Sequence, residues 1–405
     1  MLKTLGSSPL WLVVLLLGPT FGHAQGVTPH RWALIPRVDL SATYDDNVYR
    51  TGSRERDDLF VEPELSLDYR SSTETNRWML MGTGFYAHRF YAQEDSLDFD
   101  AFGEELKLRY QGDGPGRWEA IQGFRRMEDV DRHVPESDYI RLTSIQLQDI
   151  NSLSARRDIL DGGIAYAHQL TDKSEGSMSY RYSSLGYDDS TLLDLGAHLL
   201  QAEAAYQVSE KSILYADLGY SRQEQDKGGG SADLALGHLG ARTRHSEKLV
   251  GKFGLGFQYY DRSSAEGADN EQGVSVDTAF DWLASEKVTL HGGLNNGHQL
   301  SSFYEDNGLA YVNTWAGLTY RWTEQFQLWL RGLYRRDSYI DDVASGDLLR
   351  EREDERYEMS ARLNYRANST RWEAYVQASH EIVESTLPEY EYDDTRLTLG
   401  TQVAY

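Results

Sequence analysis

The C-terminal half of the chain repeats one pattern: segments of about ten residues, apolar at alternate positions, joined by very short turns. The last segment is the cleanest. In Thr395–Tyr405, Leu397, Leu399, Thr401, Val403 and Tyr405 share one face, and Arg396, Thr398, Gly400, Gln402 and Ala404 share the other. Period-two alternation describes a strand whose faces meet different surroundings. A tilted strand needs about 9–11 residues to cross a bilayer. Strands cross lipid only in a closed barrel, because an open edge would strand backbone donors and acceptors in hydrocarbon. The expected fold is therefore all-β: a transmembrane, antiparallel, up-and-down β-barrel in the bacterial outer membrane.

Eighteen candidate strands can be marked, near 35–46, 58–70, 77–91, 100–111, 117–127, 157–170, 176–187, 197–208, 212–224, 234–245, 249–261, 273–284, 288–299, 309–322, 326–337, 356–367, 371–383 and 395–405. Their connections alternate short and long, as in bacterial outer-membrane barrels with periplasmic turns and surface loops. Ser-Glu-Lys forms three of the short turns, at Ser209–Lys211, Ser246–Lys248 and Ser285–Lys287. Stripes such as Phe253, Leu255, Phe257 and Tyr259, or Leu318, Tyr320 and Trp322, mark the lipid face. Several end in an aromatic at the turn, where an interfacial girdle belongs. The longest connection, 128–156, is a candidate for folding into the lumen as a constriction.

Residues 1–24 read as a secretory signal, with Lys3, the apolar run Leu10–Leu17 and small residues before a cut near Ala24–Gln25. Residues 25–34 form a short periplasmic segment and 35–405 the barrel. The exposed face of the final strand, with Leu397, Leu399, Val403 and Tyr405, is the expected insertion signal for the barrel-assembly machinery.

Cysteine is absent, which excludes disulfides, thiolate metal sites and cysteine catalysis. The net charge of −24 argues against nucleic acid as a partner. Acidic residues crowd the long loops, where they are either simply solvated or bridge to lipopolysaccharide through divalent cations. Asp45, Asp46 and Asn47 offer adjacent oxygen donors, a common loop feature that assigns no metal. His88, His168, His238, His291 and His298 are scattered singly and read as wall residues. No phosphate loop, His-Glu-x-x-His or Gly-x-Ser-x-Gly is present, so neither an enzyme nor a cofactor is implied.

The inner face is polar and ionised. Arg321, Arg331, Arg335, Arg362 and Arg366 lie on adjacent strands in phase opposite to the apolar residues, with Trp315, Trp329 and Tyr375 on the same face. Guanidinium groups fork onto carboxylates and phosphates, and flat aromatics offer faces to sugar rings. These residues form a candidate path for an anion or a sugar, although most such ions serve as cross-strand wall pairs.

At Ser41–Thr51 the chain reads Ser-Ala-Thr-Tyr-Asp-Asp-Asn-Val-Tyr-Arg-Thr, followed by Asp57-Asp58-Leu59 and Pro63-Glu64-Leu65-Ser66-Leu67-Asp68. With the barrel layout to Tyr405, this resembles the β-barrel porins encoded beside exopolysaccharide assembly genes. The resemblance implies export of a secreted polysaccharide, fed by a separate periplasmic export protein. The alternatives are a porin for small anionic or sugar solutes and a structural or adhesive barrel.

Overall fold

The computed structural model describes residues 31–404 apart from 54, 73–76, 128–154, 190, 227–229, 247, 265–266, 305–306, 342, 346–347 and 368–370. The signal segment, Tyr405 and most of the 128–156 connection therefore lie outside the described residues. The strands are β1 (Arg31–Asp45), β2 (Asp58–Ser72), β3 (Trp78–Tyr91), β4 (Phe99–Gln111), β5 (Gly116–Met127), β6 (Arg157–Thr171), β7 (Ser174–Tyr187), β8 (Leu195–Ser209), β9 (Ser212–Gln225) and β10 (Ser231–Ser246). They continue with β11 (Leu249–Ser264), β12 (Gly267–Leu283), β13 (Val288–Leu300), β14 (Gly308–Arg321), β15 (Phe326–Tyr339), β18 (Glu353–Arg366), β19 (Trp372–Ser385) and β20 (Tyr392–Ala404). A small hairpin, β16 (Val343–Ser345) with β17 (Leu348–Arg350), decorates the loop between β15 and β18.

Each barrel strand pairs antiparallel with its neighbours, and β1 pairs with both β2 and β20, closing an 18-stranded barrel. Every segment expected from the alternation is a strand. The ends differ because the apolar rhythm covers only the lipid band, whereas pairing continues past it. β12 thus begins at Gly267, and β1 begins at Arg31, inside the segment expected to precede the barrel.

Apolar side chains point outward, so the hydrophobic surface of this fold is its outside. Leu239, Phe257 and Met359 are among the most exposed large hydrophobic residues described. At the turn end, paired rings form the expected girdle: Trp78–Tyr110 at 4.4 Å, Trp118–Tyr166 at 4.3 Å and Phe326–Tyr365 at 4.9 Å between centroids.

The structure explains the recurring short turn. The Ser246 and Ser285 hydroxyls each accept from the backbone N–H groups two and three residues on, and Thr171 and Thr323 do the same. Such local bonds satisfy the tight reversal that a hydroxyl residue favours.

Apart from bulges near three turns and a short gap beside Pro63, the wall is interrupted between β12 and β13. β12 and β13 pair only from Asp277↔Asn295 to Leu283↔Thr289. Beyond that rung β12 stays with β11, while β13 and β14, still paired with each other, lean into the lumen. At the split, the Asn296 side chain takes the place of the missing ladder. Its Oδ1 accepts from Val276 N at 2.7 Å and its Nδ2 donates to Val274 O at 2.8 Å. β13 is glycine-rich where it bends. Gly297 lies under the Tyr311 ring, where a Cβ would clash, and strand glycines mark such close approaches.

Candidate functional site

The inward lean brings the end of β13 and the segment after it across the loop-side mouth. Gln299, Leu300, Ser301 and Ser302 are fully buried. Leu300 fills an apolar cluster with Leu185, Leu195, Ala197, Leu234 and Tyr260 of β7, β8, β10 and β11. Backbone groups of this strap are satisfied by side chains of β9: Leu300 N donates to Gln223 Oε1, and Gln225 Nε2 donates to Ser301 O and Tyr304 O, each at 2.8 Å. Leu193 N donates to Ser302 O at 2.8 Å. Such pairing is what lets an irregular segment be buried.

Tyr304 carries the strap to the opposite side. Its hydroxyl lies 3.1 Å from that of Tyr390 and accepts from Arg352 Nη1 at 2.9 Å. Burial pushes the Tyr304 phenol far above its ordinary pKa. Arg352 is fully buried, forked onto Asp354 and stacked over Tyr390 at 3.4 Å and Tyr339 at 4.6 Å. One short strap thus joins β9 to the β18 side of the mouth. In sequence it reads only as the long connection Leu300–Gly308. The residues that seat it, Gln223 and Gln225, lie in an ordinary alternation and give no signal.

The arginine stripe divides into two groups. Arg335 is buried and forks onto Asp337 at 2.7 and 3.0 Å; opposite it in the ladder, Arg356 bonds Glu358 and Glu381. Its charge is neutralised in the wall rather than offered to the lumen. On the turn side of the Leu333↔Glu358 rung, inner positions of β14, β15, β18 and β19 hold Arg321, Arg331, Arg362 and Arg366 against one carboxylate, Glu373. Arg366 pairs with Glu373 at 3.1 Å and remains exposed.

Three of the sequence-predicted residues come together here. Trp329 stands opposite Arg362 in the ladder, and the Arg362 guanidinium lies 3.8 Å above the Tyr375 ring. Tyr375 lies over Gly400 and donates to Asp39 at 3.1 Å, while Trp315 lies over Gly293. Rings laid on glycines stay flat against the wall and turn one face to the lumen.

The opposite wall, β5 to β10, holds a cavity of about 390 Å³ lined by Arg117, Glu175, Gln201, Glu203, Gln207 and Arg242. Its ions pair with one another, Arg117 with Glu175 and Arg242 with Glu203. His238 bonds Asp217 and Ser275, and His298 bonds Glu271 and stacks on Tyr260, which makes both wall residues.

The Tyr-Asp-Asp-Asn-Val-Tyr-Arg stretch clasps the first strand to the last. Asn47 is buried; its Nδ2 donates to Asp393 O at 2.8 Å and Thr51 O at 3.3 Å, and its Oδ1 accepts from Thr51 N at 3.3 Å. Asp46 accepts from Thr395 N at 2.6 Å, Asp45 pairs with Arg396 at 2.8 Å, and Arg50, at φ 48°, pairs with Asp394 at 3.3 Å. Asp45, Asp46 and Asp394 come close enough to hold an ion, but two arginines and backbone donors already occupy the carboxylates.

Residues 231–405 match the family model described as Putative beta-barrel porin 2. This span runs from β10 to the chain's end. The porin recognition therefore rests on the C-terminal strands rather than on the Ser41–Asp68 stretch. No curated protein matches the sequence. Among solved structures, OccK2 (OpdF) of Pseudomonas aeruginosa in complex with glucuronate is similar at 11% identity and TM-score 0.50, covering 92% of this chain and 98% of that one. A BenF-like porin from Pseudomonas fluorescens Pf-5 is similar at 11% identity and TM-score 0.48, covering 92% and 99%. OpdK of P. aeruginosa with vanillate is similar at 12% identity and TM-score 0.47, covering 92% and 99%. These likenesses concern the barrel fold. The chain has the fold of an outer-membrane, porin-like β-barrel.

Proposed function

We propose that this barrel is a porin for small anionic or sugar solutes. The observation that carries the reading is the strap across the mouth, seated at Gln225 on one side and Arg352 on the other. It runs across the mouth of a wide barrel and narrows it. The inner face adds a matching chemistry: arginines in excess over carboxylates beside flat aromatic faces. A narrow, low-dielectric path concentrates the field of such charges. OccK2, whose structure holds glucuronate, is a fold precedent consistent with a sugar acid. Polysaccharide export, the first reading of the sequence, becomes the second, because a polymer would have to thread past the strap.

The test is ion selectivity in planar bilayers under a salt gradient. Arg331, Arg362 and Arg366 changed together to Gln keep length and polarity and lose charge. The reversal potential should move toward cation preference, with the barrel still folded by its gel shift on heating. An unmoved reversal potential would make the stripe wall structure and remove the anionic path.

A further inference from the structure

We propose that the strap is a gate, and that the upper end of β13 exchanges between two partners: the side chains of β9, which hold it here, and the backbone edge of β12 beyond Asp277, which it now meets only through the Asn296 and His298 side chains. The wall itself carries the evidence. β12 continues as a strand to Gly267, ten residues beyond its last rung with β13, and its far side is paired with β11 throughout. An edge of this kind is a template for another strand. β13 also continues as a strand, to Leu300, and holds β14 on its other side. Two strands that are neighbours, in register and both formed therefore part company. Extending their register places Ser275 opposite Gly297, Val274 opposite His298 and Gly273 opposite Gln299.

The seated state is held by replaceable contacts. Asn296 copies the ladder bonds that β12 would otherwise give to backbone, so the split end is capped whichever way β13 lies. The strap is gripped at its far end by amide side chains, Gln223 and Gln225, and by the Tyr304–Tyr390–Arg352 contact. Arg262 of β11 reaches Asp341, past the end of β15, and ties the same leaning unit to the wall. Seated, the strap narrows the mouth. Zipped onto β12, it restores a continuous wall and widens the mouth. The gate rests on the same strap that carries the small-solute reading, and the thiol pairs below report its movement whichever solute passes.

The chain has no cysteine, so paired thiols can be placed cleanly. Leu193→Cys with Ser302→Cys should bond under an added oxidant and hold the strap seated. Gly273→Cys with Gln299→Cys should bond only when β13 zips onto β12. In bilayers, the first oxidised pair should lose most of its conductance, and the second should remain in its widest state. Reduction should return both to the unmodified behaviour, which also shows that they are folded. Adding Gln225→Ala should speed bonding of the second pair. Conductance unchanged by the first bond would overturn the gate, as would a first pair that never bonds. A second pair that stays as thiols while the first bonds readily would make the strap a fixed constriction.

Discussion

The clasp at Asn47 gives a prediction whose size follows from the structure. Asn47 is buried, and its amide meets three backbone groups, one at 2.8 Å and two at 3.3 Å. A net hydrogen bond contributes about 1 kcal/mol, and a buried group left without its partner costs about 1–3 kcal/mol. Asn47→Ala should therefore destabilise the barrel by roughly 2–3 kcal/mol, counting the short bond fully and the long ones in part. Asn47→Asp keeps the shape but loses the donor to Asp393 O and adds a carboxylate beside Asp45 and Asp46. It should cost more than the alanine change. Urea titration of the refolded barrel in lipid vesicles, followed by tryptophan fluorescence and by gel shift, measures both. Calcium provides the contrast. If these oxygens formed a cation site, Asn47→Asp would be rescued by calcium. Stability of both variants within about 0.5 kcal/mol of the unmodified protein, the range of an ordinary surface change, would refute the clasp. Calcium-dependent rescue would refute it too.

Two further expectations concern other parts of the barrel. Gly400→Ala places a Cβ where the Tyr375 ring now lies, so the ring must swing into the lumen and off Arg362. Single-channel conductance should fall and anion preference weaken while the folded fraction is kept; unchanged conductance would show that Tyr375 does not line the path. Leu397, Leu399 and Val403 face outward on β20, with Leu399 opposite Val376 and Val403 opposite Trp372 on β19. They are proposed, with Tyr405, as the signal read by the assembly machinery. Deleting Tyr405 should lower the heat-modifiable barrel in outer membranes, and full yield would remove that role.

The strands were legible because each lipid-facing residue must be apolar and its neighbour is free not to be. That constraint repeats along every strand, so eighteen segments and the girdle could be read one by one. The inner face has no such rule. Arg335 and Arg331 share the same phase on β15, yet one is locked to Asp337 within the wall. The difference depends on the Asp337 side chain two positions along and on the Tyr311 ring of β14 beside it. The strap itself was invisible for a related reason. Long connection 128–156 was the natural candidate for a constriction, since length is what a sequence displays. Most of that connection lies outside the described residues; the strap that is described follows β13 over Leu300–Tyr304, and what makes it possible is the interrupted β12–β13 ladder. Local patterning specifies strands; it does not specify where two adjacent strands stop pairing. The Tyr-Asp-Asp-Asn-Val-Tyr-Arg stretch stood out in sequence, but its partners Asp393, Asp394 and Arg396 lie at the other end of the chain. Its role as a seam became evident only when β1 met β20.

The most direct test of the account is solute flux through the purified barrel in lipid vesicles, followed by swelling. Vesicles bearing the unmodified protein should swell readily with glucuronate or a simple sugar and not with a long polysaccharide. The Leu193→Cys/Ser302→Cys pair should slow the small solutes on oxidation. Passage of the polysaccharide at a rate comparable to glucuronate, or exclusion of every small solute, would contradict a small-solute porin.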